Sequence, residues 1–73
     1  MAIPSDSRLT TGERQVLECI LRGESNKEIA VRLSRSVKTV EFHVSNIFKK
    51  LRVTSRMQLL VQFVVPSTLR IED

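Results

Sequence analysis

The sequence predicts an all-α domain of four short helices. Three observations carry that expectation: two capping boxes, apolar residues spaced three and four apart after each start signal, and a scarcity of turn-forming residues. The chain has 73 residues with two Gly, two Pro and neither Trp nor Tyr, a poor composition for a sandwich of many short strands. Its hydrophobic fraction of 41% is enough for a core and above the range of disordered segments. The length suits one small domain.

Each helix follows from local chemistry. Residues 1–8 form an irregular lead-in. Thr10-Thr11-Gly12-Glu13 fits a capping box, in which the Thr hydroxyl accepts from the third helical amide and the Glu carboxylate reaches back to the cap. Val16, Leu17, Ile20 and Leu21 follow at helical spacing, so a first helix is expected over about 11–22, stopped by Gly23. Ser25-Asn26-Lys27-Glu28 repeats the box and opens a second helix, about 26–33, with Ile29, Ala30 and Leu33 on its apolar side. Ser34-Arg35-Ser36 leaves room only for a sharp turn before a third helix, about 37–51, capped by Ser36. Two helices joined so closely form a helix-turn-helix. On the third helix Val37, Val40, Val44, Ile47, Phe48 and Leu51 share one arc, while Lys38, Phe42, Ser45 and Lys49 point away from it. A fourth helix is expected from about 55 to 65, stopped by Pro66. Its Met57, Leu60, Val61 and Val64 form one stripe, and Leu59 and Phe63 fall roughly opposite. One stripe suffices for a small core, so the second face, Leu59, Gln62 and Phe63, is read as a dimer surface. The domain is thus 9–66, with 67–73 a tail.

Charge is unevenly placed. The net charge is +4. From Arg32 to Arg56 seven basic residues face one acid, Glu41, whereas the rest of the chain holds five basic and seven acidic residues. A basic stretch of this kind is the footprint of a polyanion partner or a solvated face. An outer helical face bearing lysines and small polar groups has the dimensions to enter a major groove of double-stranded DNA.

Other classes find little support. The single cysteine, Cys19, cannot form an internal disulfide, and no Cys/His spacing resembles a zinc site. No signal peptide or membrane-length apolar run is present, so a reducing cytoplasm fits and no membrane partner is expected. Without a phosphate-cradling glycine loop or a catalytic constellation, neither an enzyme nor a cofactor is expected. The lone His43 is read as a packed or hydrogen-bonded residue, Cys19 as a core or boundary residue, and Glu13 and Glu28 as capping groups. Asn26 and Lys27 are read as possible phosphate contacts or as a solvated face in equal measure.

Three linked motifs carry a resemblance. Leu9-Thr10-Thr11-Gly12-Glu13-Arg14-Gln15-Val16-Leu17, then Gly23-Glu24-Ser25-Asn26-Lys27-Glu28-Ile29-Ala30, then Lys38-Thr39-Val40-Glu41-Phe42-His43-Val44-Ser45-Asn46-Ile47 with Lys50-Leu51, resemble the LuxR-type (GerE-like) domain of bacterial transcription regulators over about residues 9–64. The resemblance implies a four-helix domain that binds promoter DNA and dimerises through its fourth helix, as in response-regulator output domains. It places the base-facing positions on Glu41, Phe42 and Ser45, and a phosphate-holding hydroxyl on Thr39. Glu41 then suits a cytosine amino group and Phe42 a thymine methyl. Lys38, Lys49 and Lys50 are candidate phosphate contacts, with Arg35, Asn46 and Arg52 beside them. The chain departs from the family pattern at Thr11 and Gly12, where Pro-Arg is usual, and at Arg35, where an aliphatic residue is usual. It also departs at Glu41, a variable and often basic position, and at Arg52, where Gly normally ends the third helix. A left-handed Arg52 would cost about 1 kcal/mol.

The resemblance further implies a homodimer on a two-fold-symmetric site, RNA polymerase as a further partner, and a cytoplasmic, nucleoid-associated bacterial protein. The sensing function would lie in another domain. The alternatives weighed beside it are a sigma-factor-like promoter binder and a helical protein-interaction module using Phe42 or the Leu59/Phe63 face.

Overall fold

The computed structural model describes residues 8–63. It holds four helices: α1 (Thr11–Leu21), α2 (Asn26–Leu33), α3 (Val37–Leu51) and α4 (Arg56–Phe63). Among the described residues there is no strand. The expected order is observed and α1, α2 and α3 start where expected; α4 starts one residue later and α1 ends one residue earlier than expected, and the expected end of the fourth helix at 65 lies outside the described residues.

The helix starts are built as the sequence implies. Glu13 N donates to Thr10 Oγ1 at 3.1 Å and Thr10 N donates to Glu13 Oε1 at 3.0 Å. Ser25 and Glu28 repeat the exchange at 3.2 and 2.7 Å. Ser36 Oγ accepts from Thr39 N at 3.0 Å, and Ser55 Oγ accepts from Gln58 N at 3.2 Å. Each arrangement satisfies amides that have no partner inside the helix.

Three helices also end alike. A residue two or three beyond the helix end donates back to a carbonyl five residues earlier: Glu24 N to Cys19 O at 3.2 Å, Arg35 N to Ala30 O at 2.9 Å and Val53 N to Phe48 O at 3.0 Å. This closure requires a left-handed residue just before the donor. Gly23 (φ 86°), Ser34 (φ 55°) and Arg52 (φ 58°) fill that place. Gly23 does so without a side chain to clash; Ser34 and Arg52 carry a Cβ, which makes the conformation costlier. Ser34→Gly is therefore expected to stabilise the domain by about 1 kcal/mol, read as a rise of several degrees in thermal unfolding.

The core is one cluster. Leu9, Val16, Leu17, Cys19, Ile20 and Leu21 enter it from the lead-in and α1, Ile29 and Ala30 from α2, and Val40, Val44 and Ile47 from α3; Val53 and Leu59 complete it. α3 packs across α1 and α2, and α4 lies against α1. Of the expected α3 core arc, Phe48 and Leu51 are half-buried and Val37, in the first turn, is exposed.

The fourth helix is rolled opposite to the sequence expectation. Leu59 is fully buried, and Leu60 and Phe63 are half-buried against the core. Met57 and Val61 are 65% and 43% exposed. The face read as a dimer surface therefore belongs, at Leu59 and Phe63, to the core; only Gln62 of that set is exposed. Arg56 accounts for the roll. Its Nη1 donates to Asn26 Oδ1 at 3.0 Å and its Nη2 to Glu24 O at 2.9 Å. With about 100° between successive residues, Leu59, Leu60 and Phe63 fall on the side of Arg56, while Met57 and Val61 fall on the other.

Candidate nucleic-acid interface

The candidate interface is the side of α3 turned away from the core. Its core stripe, Val40, Val44 and Ile47, fixes the helix from behind. Lys38, Glu41, Phe42, Ser45 and Lys49 are consequently all exposed on the other side. Phe42 is 64% exposed, an unusual setting for a large aromatic side chain. Thr39 and Asn46 sit half-buried at the margins, and Arg35 and Arg52 are exposed in the turns before and after the helix. The structure thus brings nine of the ten sequence-predicted contact residues to one side and its two ends.

The first turn of α3 has no acidic residue. Its unpaired amides leave a partial positive charge near Lys38. Ser36 Oγ donates to Thr39 Oγ1 at 2.9 Å while accepting from Thr39 N.

Lys50 is the exception. Its Nζ lies 2.7 Å from Glu13 Oε1, the same oxygen that accepts from Thr10 N. Its ammonium is committed to the start of α1 rather than to an external anion. Burial pushes the Glu13 carboxyl up, but the Lys50 and Thr10 hydrogen bonds and the Lys50 charge outweigh it, so its pKa lies below the ordinary 4.5. A carboxyl that titrates lower in the folded chain than in the unfolded one stabilises the fold above about pH 4.5, and that stabilisation is lost as pH falls through the lower folded value. Glu13→Gln should keep the cap, since its amide oxygen still accepts from Thr10 N, yet flatten the acid side of a melting-temperature profile between pH 6 and 3.

His43 is half-buried on the flank of α3, packed as the sequence reading favoured. A Cβ added to Gly12 would come within 3.3 Å of its Nε2, so the ring occupies the space that a larger residue at position 12 would need. Its Nδ1 is buried without a hydrogen-bond partner. The Phe42 ring lies 6.0 Å from it, centroid to centroid, tilted by 54°. Cys19 is buried; burial and a hydrogen bond with Glu24 push its thiol pKa up, away from the reactive thiolate.

Besides the Lys50–Glu13 pair, sequence reasoning missed two further polar ties. Arg56 joins α4 to the α1–α2 turn, and desolvation lowers its pKa. Asn26, read as a phosphate contact or a solvated face, instead accepts from it. Arg32 holds Glu24 through Nε at 3.0 and 2.8 Å. The partners are 8 to 32 residues apart, beyond the reach of a helical-spacing argument. Among the described residues no group of His, Cys, Asp or Glu could hold a metal ion, and no helix is long and apolar enough to cross a membrane.

Residues 7–63 match the family model described as bacterial regulatory proteins, luxR family. The chain is 50% identical over 56 residues to the uncharacterized response regulatory protein YgeK of Escherichia coli. It is 43% identical over 60 residues to the transcriptional regulatory protein LiaR of Bacillus subtilis, and 43% identical over 56 residues to the spore germination protein GerE of the same species. These alignments cover 77%, 82% and 77% of the chain, and 38%, 28% and 76% of the relatives' own lengths. The chain is thus equivalent to a minor part of YgeK and LiaR and to most of GerE. A match spanning all four helices, with relatives at this identity, places the chain in the luxR family of bacterial regulatory proteins.

Proposed function

We propose that the domain reads promoter DNA with α3 in the major groove and dimerises through the outer side of α4. The observation that carries the first part is the outward row of α3. Lys38 and Lys49 flank Glu41, Phe42 and Ser45, and none of these five has an ion pair or hydrogen bond from its side chain within the described residues. Lys38, Lys49, Thr39, Asn46, Arg35 and Arg52 hold phosphates and set the register, a role that carries no sequence information. Glu41, Phe42 and Ser45 face base edges. Lys50 is left out, because its partner is Glu13.

The second part rests on the exposed Met57 and Val61, which with Val53, Arg52, Gln58 and Gln62 line one open apolar groove. A two-fold pairing through this groove would present two α3 helices to half-sites one helical turn apart, about 10 bp.

The test is a titration of the domain against a mixed-sequence duplex at several salt concentrations. Phosphate contacts release counterions, so log affinity should fall linearly with log salt, by about 0.9 per contact. Binding that is negligible at low salt would overturn the reading and turn attention to a protein partner.

A further inference from the structure

We propose that the segment after α4, residues 67–73, folds back into the α4 groove of its own chain and competes there with a second copy. The inference rests on the reading of that groove as the dimer surface and deepens it to a regulated one. Met57 and Val61, 65% and 43% exposed, give the groove an apolar floor together with Val53, and Arg52 is the one charged residue among its described lining. No acidic residue lies on α4. Residues 52 and 53 precede α4, and Val61 lies in its last turn. The groove therefore follows the helix, with its cation at the starting end.

The sequence that follows the helix matches that layout in reverse. Pro66 disfavours helix at the residue before it, and Ser67-Thr68-Leu69-Arg70-Ile71-Glu72-Asp73 comes next. In an extended segment Leu69 and Ile71, two apart, point to one face and Arg70 to the other. Two carboxylates, Glu72 and Asp73, come after them. Run antiparallel to α4, such a segment meets Val61 and Met57 first with its apolar residues, and Arg52 last with its carboxylates. The reach suffices: seven extended residues span about 23 Å, while a helix of 8 residues rises only about 12 Å.

A second copy must make the same apolar contact from free solution. It would do so across a helix of 8 residues, a small footing beside the roughly 800 Å² per partner of a standard interface. A segment tethered by a short linker acts at an effective concentration in the millimolar range. At low protein concentration the chain's own segment therefore holds the groove. Arg52 is also a proposed phosphate contact, so DNA that engages it takes away the segment's charged anchor. Dimerisation is thereby tied to DNA.

The test compares the chain with one truncated after Pro66, which keeps every described core residue, and with Leu69→Ser/Ile71→Ser in the full chain. In a dilute sample, methyl NMR should show contacts from the Met57 methyl to those of Leu69 and Ile71. They should survive further dilution and weaken in Glu72→Lys/Asp73→Lys. Sedimentation without DNA should show tighter self-association of the truncated and Leu69→Ser/Ile71→Ser chains. A segment docked in nine molecules of ten would weaken dimerisation about a hundredfold, because both partners must open. If truncation unfolds the domain, the Leu69→Ser/Ile71→Ser chain carries the comparison. Absence of the Met57 contacts would overturn the inference. So would contacts that vanish on dilution, which would assign the segment to a second copy. Measurable but equal self-association in all three chains would overturn the competition. Contacts that persist beside a truncated chain that stays monomeric would keep the segment in its groove. They would overturn the reading of α4 as the dimer surface, and the competition with it.

Discussion

Leu59→Ala should destabilise the domain by about 2–5 kcal/mol, while Met57→Ala should leave its unfolding within about 0.5 kcal/mol of the parent. The two residues lie two apart on one helix and differ in what they touch. Leu59 is fully buried in the common core, and Met57 is 65% exposed. Truncating Leu59 removes its transfer energy and leaves a void that the surrounding core cannot fully close. In a domain whose total stability is of order 5 kcal/mol, much of the population would unfold. Urea denaturation followed by circular dichroism at 222 nm would show it as an early midpoint. Met57→Ala belongs to a different experiment: with Val61→Ala it should weaken self-association, read by sedimentation, without moving the urea midpoint. If Met57→Ala proved as destabilising as Leu59→Ala, the roll of α4 set by Arg56 would be wrong.

Lys38→Ala combined with Lys49→Ala should cut affinity for any duplex by roughly tenfold to a hundredfold at moderate salt, and should lower the salt slope by about 1.8, two contacts at about 0.9 each. Both side chains are exposed and neither joins an ion pair among the described residues, so the fold should be untouched. The loss should be the same for selected and random sequences, because phosphates carry no base identity. An equal slope in parent and double variant would show that other cations carry the phosphate contacts. The matching control is Lys50→Ala, expected to disturb acid stability through Glu13 more than the salt slope.

The fold was largely legible because its signals are local. A hydroxyl and a carboxylate three residues apart suffice to start α1 and α2, and Gly23 suffices to end α1. The outer row of α3 could be read by the same logic, since one continuous apolar arc leaves a continuous polar one behind. Ser34 could not be foreseen as a left-handed residue, because nothing about serine announces it; the short distance between helices demands it. The roll of α4 was misread for a related reason. Apolar residues occupy both sides of that helix, so periodicity is degenerate, and the choice is made by Arg56 reaching residues about 30 positions earlier. The same is true of Lys50. As a basic residue near the end of a basic helix it looked like its neighbour Lys49, and only the folded chain brings Glu13 to it.

That shared oxygen of Glu13 has a consequence for how the domain opens. One atom receives the amide of Thr10 at the entrance of α1 and the ammonium of Lys50 at the exit of α3. Fraying either end leaves a buried carboxylate short of a donor, which is costlier than fraying an ordinary helix tip. The two ends should therefore unzip as a single unit. In native-state hydrogen exchange the first-turn amides of α1, which would otherwise exchange quickly, should be protected to the same degree as those at the end of α3, and Lys50→Ala should release the two sets from each other.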